Sequence, residues 1–410
     1  MAGILNRYAN GSWLTPEFIA RLTWTALGLS FASIAMGLTT SSGGLDPFGR
    51  PIGTDFASFW TAGRLASQGQ AASAYDWGTL RQAQRALLGT ELFYPWSYPP
   101  IFLLPMEVFG RLPYLPALLV WQLATLVLAV LAFRSVLPSA SALVAALSFP
   151  VVLICLGHGQ TGFLSGALFL AGVLALPRRE VFAGIFFGLL AYKPHLGLLV
   201  PIALAAGGYW RAFCSAGLTV ALLIGATTAF WGWEIWDAFF RSFKETGTVV
   251  LDAGGPGFQK FQSIFAWLRL WGVPSAPAYE VQAVVTTAVA VSCAWIWRRP
   301  ADLRLKGAAL LTGTLLSIPY VLDYDMVILG MALALFVSHG IEHGFRPWAK
   351  TMVAVLWLLP AARWMLVAVV PVPVVFLLNA TFFAMILREA WLADTSGRVS
   401  AGRLPEPLST

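Results

Sequence analysis

One carboxylate stands out for chemistry. In the stretch Gly53-Thr54-Asp55-Phe56-Ala57-Ser58-Phe59-Trp60, an acid follows a residue type that caps helices well, and Phe56, Phe59, Trp60 and Gly63 then recur at helical spacing. This pattern predicts a short amphipathic helix lying on a membrane surface, with Thr54 as its N-cap and Asp55 in its first turn. The positive end of the helix dipole would favour the ionised carboxylate there, a state suited to a general base. A helix-terminal acid in a solvated loop is the bland alternative. Asp76, after Tyr75, reads as a simple cap.

Three other clusters could do chemistry. In Gly157-His158-Gly159-Gln160-Thr161-Gly162 the glycines let the backbone come close to a ligand, while His158 and Gln160 can hydrogen-bond sugar hydroxyls or a phosphate. A tight hairpin with a solvated histidine would give the same residues. Lys193 and His195 flank Pro194 at a helix break, where a lysine could neutralise a phosphate or merely snorkel to a membrane edge. Asp323-Tyr324-Asp325 suits sugar-hydroxyl binding, or equally the capping of a helix starting at Met326. Cys155, Cys214 and Cys293 have no paired spacing, so neither a disulfide framework nor a metal site is indicated. No glycine-rich nucleotide loop is present.

These residues must be positioned by membrane segments. The 410 residues are 58% hydrophobic and 11% charged, with a mean hydropathy of +0.73, which marks an all-α polytopic membrane protein. The net charge of +7 does not point to nucleic acid, because the basic residues distribute as membrane topology asks. Residues 18–38, between Arg7 and Arg21 and the first polar loop, read as an uncleaved first span. Further segments are expected near 114–133, 140–156, 160–176, 181–193, 194–207, 211–231, 277–297, 306–322, 324–339, 350–369 and 372–388, about 12 in all. Residues 98–105, broken by proline, suit a re-entrant piece.

With a cytosolic N-terminus, the connections at Arg134, Arg178-Arg179, Arg211, Arg298-Arg299 and Arg346 all fall inside. The candidate residues above then fall outside. That topology needs residues 181–207 to form two short half-helices meeting at Lys193-Pro194. Residues 1–392 read as a single membrane domain with outer loops at 39–98 and 232–276, the second an interfacial stretch containing Lys244, Lys260 and Arg269. Residues 393–410, rich in Gly, Ser and Pro, read as a disordered cytosolic tail.

Taken in order, Thr54-Asp55-Phe56, Tyr98-Pro99-Pro100, Gly157 to Phe163, Leu190 to Leu196 and Tyr324-Asp325 resemble glycosyltransferase family 87. The resemblance implies a GT-C type membrane bundle, with outer-face helices, that moves mannose from a polyprenyl-phosphate donor. It implies inverting transfer to a glycolipid or glycan hydroxyl at the outer face of a bacterial plasma membrane, with Asp55 as base. Gln160, the Lys193-Pro194 break and Asp325 would line the donor and acceptor sites, with Tyr324 and Asp323 beside them. Thr161 departs from the asparagine common there in the family.

A departing lipid phosphate gains charge, and Lys193 is the first candidate to meet it, followed by His195, His158 and Arg64. Such fixed cations make a metal-independent reaction the expectation. The rival from another class is a lipid or sugar transporter or flippase, for which broken helices and intramembrane charges would mark a substrate path. No inverted repeat is evident. A non-catalytic envelope scaffold would make Asp55 dispensable.

Overall fold

The computed structural model describes residues 2–252, 254–255, 257–369 and 373–401. Its regular elements are helical, and the described residues add only isolated β-bridges, among them Phe261 to Leu322. Helices Pro16–Thr40, Tyr114–Arg134, Trp210–Trp231 and Ser275–Arg298 are each long and apolar enough to cross a bilayer. So are Asp323–His343 and Val374–Ala393, which makes six. Apolar side chains such as Phe31, Leu222 and Val284 are exposed along them, as lipid-facing surfaces require.

Proline breaks account for segments that do not reach this length. Residues 140–156 become Ala140–Leu147 and Pro150–His158, bent by 52°, because Phe149 precedes a proline and is pushed into extended backbone. Counted as one span, that pair makes seven. Residues 181–207 break as expected: Glu180–Leu189 tightens through Leu190–Tyr192, Lys193 is non-helical, and Val200–Ala206 follows a turn at Pro194–Gly197. With Gly162–Ala175 also short, the expected count of 12 is not reached by length alone. The last helix runs on to Ala401, past the residue where a tail was expected, and residues 402–410 lie outside the described ones.

The Asp55 segment differs from expectation in two ways. Its helix is Phe56–Ser67 with Asp55 as the N-cap, not Thr54, whose hydroxyl is engaged 2.8 Å from His158 Nδ1. Nor does the helix lie on a membrane surface, since Phe56 to Gly63, Leu65 and Ala66 are all buried. The reason is the neighbouring Pro100–Gly110 helix, which crosses it with almost no gap. A Cβ on Gly63 would sit 1.9 Å from the Met106 carbonyl oxygen. Phe59 fills the adjoining space edge-on to Trp96, Tyr98, Phe102 and Trp121, and Trp60 Nε1 donates to the Leu112 carbonyl at 2.9 Å. Residues 98–105 thus become a helix that clamps the Asp55 helix in place.

The stretch 233–276 folds as an amphipathic helix, Glu234–Thr246, a wide turn at Gly247–Asp252, a short turn at Phe258–Lys260 and the helix Ile264–Leu270. Phe239 meets Tyr75 at 5.8 Å, which joins the two loop regions. At the far end of the Leu303–Ser317 helix, Asp302 accepts from the Arg304 guanidinium at 2.7 Å and from His339 Nδ1 at 2.9 Å. Burial pushes its carboxyl pKa up, but these bonds outweigh burial and hold it well below the usual range.

Gly63→Leu should therefore force the two helices apart at a cost of roughly 3 kcal/mol or more. The expected result is a lower melting temperature for the purified protein, with Gly217→Leu, whose added Cβ meets open space, as the tolerated control. Equal melting temperatures would contradict the clamp.

Candidate active site

A cavity of about 280 Å³ opens where five separate stretches converge. Residues from 55–59, 94–99, 158–160, 192–195 and 320–325 line it, with Phe239, Phe243, Gly247 and Lys260 facing them. Its size is near the lower end of small-molecule sites, roughly 300–1,000 Å³.

The Gly157 to Gly162 turn brings the walls together. Gly159 closes the Pro150–His158 helix in left-handed conformation, and a Cβ there would lie 2.6 Å from Phe56 Cβ and 2.9 Å from the Gly53 carbonyl oxygen. On the other side, a Cβ on Gly162 would meet the Tyr324 carbonyl oxygen at 2.3 Å. The sequence suggested that these glycines bring the backbone close to a ligand; at Gly159 and Gly162 what approaches is the protein's own chain.

Asp55 is half-buried and its backbone is helical, with no side-chain cap bond. The carboxylate instead accepts from Gln160 Nε2, 2.9 Å from Oδ2. Gln160 Oε1 in turn accepts from the Thr161 amide at 3.1 Å and from the Tyr98 hydroxyl at 3.2 Å. A backbone N–H can only donate, so these contacts fix which end of the amide faces Asp55. One carboxylate oxygen is held while no cation among the described residues pairs with the group. Tyr94, in the loop nearby, has its phenol pushed up to about 12 by burial and then by the Asp55 charge. It stays protonated beside the carboxylate.

Lys193 and Asp325 meet at 2.5 Å, both buried. The lysine's ammonium also lies 5.1 Å from the Tyr324 ring, and Asp325 Oδ2 accepts from the Leu322 amide at 3.2 Å. That last bond is the capping contact of the Asp323–Met326 turn that leads into the Val327–His343 helix, so Asp325 both caps this helix start and pairs with Lys193. His195 Nδ1 lies 2.8 Å from the Tyr320 hydroxyl, and the His158 ring is 6.0 Å from Tyr324. Asp323, buried at the same turn, accepts from the Tyr324 amide.

Of the nine residues predicted from sequence, eight line this cavity: Asp55, His158, Gln160, Lys193, His195, Asp323, Tyr324 and Asp325. Arg64 does not. Nine residues along the helix put it about 13 Å beyond Asp55, where its guanidinium faces the Gly110 carbonyl at 3.4 Å. Tyr98, Tyr192, Tyr320 and Lys260 also line the cavity without having been singled out as site residues. Their spacing carries no signal. Among the described residues one group could hold a metal, Asp302 with His339 and His343, whose ligand atoms lie within 4.8 Å of one another. It sits at the opposite end of the Leu303–Ser317 helix from Tyr320 and is already occupied by the Arg304 pair.

The helical membrane chain thus sets at this cavity a carboxylate, Asp55, that Gln160 holds and with which no cation among the described residues pairs. The sequence pattern of glycosyltransferase family 87 matches residues 96–321, more than half of the chain, and the chain belongs to that family. The matched segment contains His158, Gln160, Lys193, His195 and Lys260, while Asp55 and 323–325 flank it. No curated protein and no solved structure matches the chain.

Because Lys193 and Asp325 are buried together, Asp325→Asn alone should leave an unbalanced ammonium and cost about 3–5 kcal/mol of stability. Adding Lys193→Met should recover much of that loss in thermal melts. A double variant no more stable than Asp325→Asn would mean the two residues are not coupled.

Proposed function

We propose that this glycosyltransferase moves a sugar, mannose, from a polyprenyl-phosphate donor to a lipid-linked or glycan hydroxyl by direct displacement, with Asp55 as general base. The observation that carries the reading is the Gln160-held, otherwise unpaired carboxylate at the cavity. The acceptor hydroxyl gives its proton to Asp55 as its oxygen attacks the anomeric carbon. The bond from that carbon to the phosphate oxygen breaks at the same time, and the lipid phosphate leaves with the electron pair. Phosphate needs no proton to depart, so one carboxylate suffices and the anomeric configuration inverts.

Gln160 acts as a positioning residue, holding one oxygen of Asp55 so that the other faces the acceptor. The Lys193–Asp325 pair, His195 with Tyr320, and His158 form the polar wall against which donor phosphate and sugar hydroxyls rest. The basic connections favour a cytosolic face opposite the cavity, which would place transfer at the extracytoplasmic face of a bacterial plasma membrane. No step in this scheme requires a metal. Family membership supports transfer over transport.

Asp55→Asn keeps the size of the side chain and an oxygen for Gln160, but removes basicity. Labelled sugar transfer should fall by about 10²–10⁴-fold, while expression and lipid-phosphate binding hold and wild-type activity persists in EDTA. Turnover in the variant within a few-fold of wild type would reject Asp55 as the base. Loss in EDTA restored by a divalent ion would reject the metal-free scheme.

A further inference from the structure

The cavity presents three carboxylates, Asp55, Asp323 and Asp325, and two lysines, Lys193 and Lys260. Lys193 is neutralised by Asp325 at 2.5 Å. An anionic donor would therefore face one lysine already committed to a carboxylate. Lys260 is different. It is half-buried, lines the same cavity, and no described carboxylate pairs with it.

The backbone around Lys260 is tied to the opposite wall. Phe261 forms a β-bridge with Leu322, the Gln262 amide donates to the Val321 carbonyl at 2.8 Å, and the Ser263 hydroxyl donates to the Pro319 carbonyl. Gln262 Nε2 also donates to the Lys260 carbonyl at 2.9 Å. These bonds set the lysine beside Tyr320, Leu322 and Asp323, in a segment that follows the amphipathic Glu234–Thr246 helix. Phe239 and Phe243 of that helix border the same opening, an apolar rim suited to the boundary where a lipid headgroup meets hydrocarbon.

We propose that Lys260 is the cation that binds the lipid phosphate and stabilises it as it leaves. This rests on the lipid-phosphate reading above. The donor is a phosphodiester with one negative charge. Cleavage of the bond to the anomeric carbon leaves a monoester with about two, while the acceptor's proton passes to Asp55. An ammonium that donates to a phosphate oxygen gains interaction as that charge grows, so it favours the transition state over the bound donor. Lys193, held by Asp325, shapes the wall, and Lys260 supplies the charge the phosphate lacks.

The test measures binding to the purified full chain in nanodiscs, using a polyprenyl monophosphate, the uncharged polyprenol and inorganic phosphate as separate probes. Wild type should prefer the lipid phosphate to polyprenol, and inorganic phosphate should compete weakly. Lys260→Ala should lose roughly ten- to hundredfold in lipid-phosphate affinity, the size of one charge-assisted hydrogen bond, without change toward polyprenol. Lys260→Arg should keep most of the affinity. A Lys260→Ala protein that melts normally and binds lipid phosphate like wild type overturns the assignment to Lys260 alone. A wild-type protein that does not distinguish lipid phosphate from polyprenol overturns the donor reading and this inference with it.

Discussion

The site depends on how closely three backbone segments meet at the Gly157 to Gly162 turn. Gly159 lies against Phe56 and the Gly53 carbonyl, and Gly162 lies against the Tyr324 carbonyl, with no room for a side chain at either point. That double contact fixes the distance between the Asp55 side of the cavity and the ion-pair side. From the same turn, Gln160 reaches Asp55 and His158 reaches Thr54. The hydrogen bonds that hold Asp55 and Thr54 therefore come from the turn that sets the spacing. Interiors pack too densely for such contacts to deform gradually.

The charges within this frame divide into distinct roles. Asp55 is held at one oxygen by a neutral amide, which orients it without supplying a counter-charge. Asp325 is tied to Lys193 and to the Leu322 amide, which makes it part of the wall. Asp302 is similarly engaged by Arg304 and His339 at the far end of the same helix layer. Among the described residues no cation pairs with Asp55, which faces the cavity without a capping bond.

Much of this was legible in the sequence because broken apolar patterns leave clear marks. Pro194 predicted the helix break at Lys193, while the glycines of 157–162 suggested close approach to a ligand and instead admit the protein's own chain. The amphipathic spacing after Asp55 gave the helix but misplaced it, because periodicity shows that a face is apolar and not what covers it. Here the cover is the Pro100–Gly110 helix, whose approach depends on the single glycine at position 63. Arg64 was drawn toward the phosphate by its nearness to Asp55 along the chain, yet two and a half helical turns carry it away. The pairing of Lys193 with Asp325 spans 132 residues, and no local pattern announces such a partner. The tether that aims Lys260 at the cavity is hidden for the same reason.

The central claim is a single displacement with one base, and the configuration of the product tests it most directly. The measurement is the anomeric configuration, by NMR, of the sugar transferred from a polyprenyl-phosphate donor of known configuration by the purified protein in liposomes. The account predicts a product of configuration opposite to the donor's. Retention would require a second nucleophile or a covalent sugar intermediate, and would contradict the role given to Asp55.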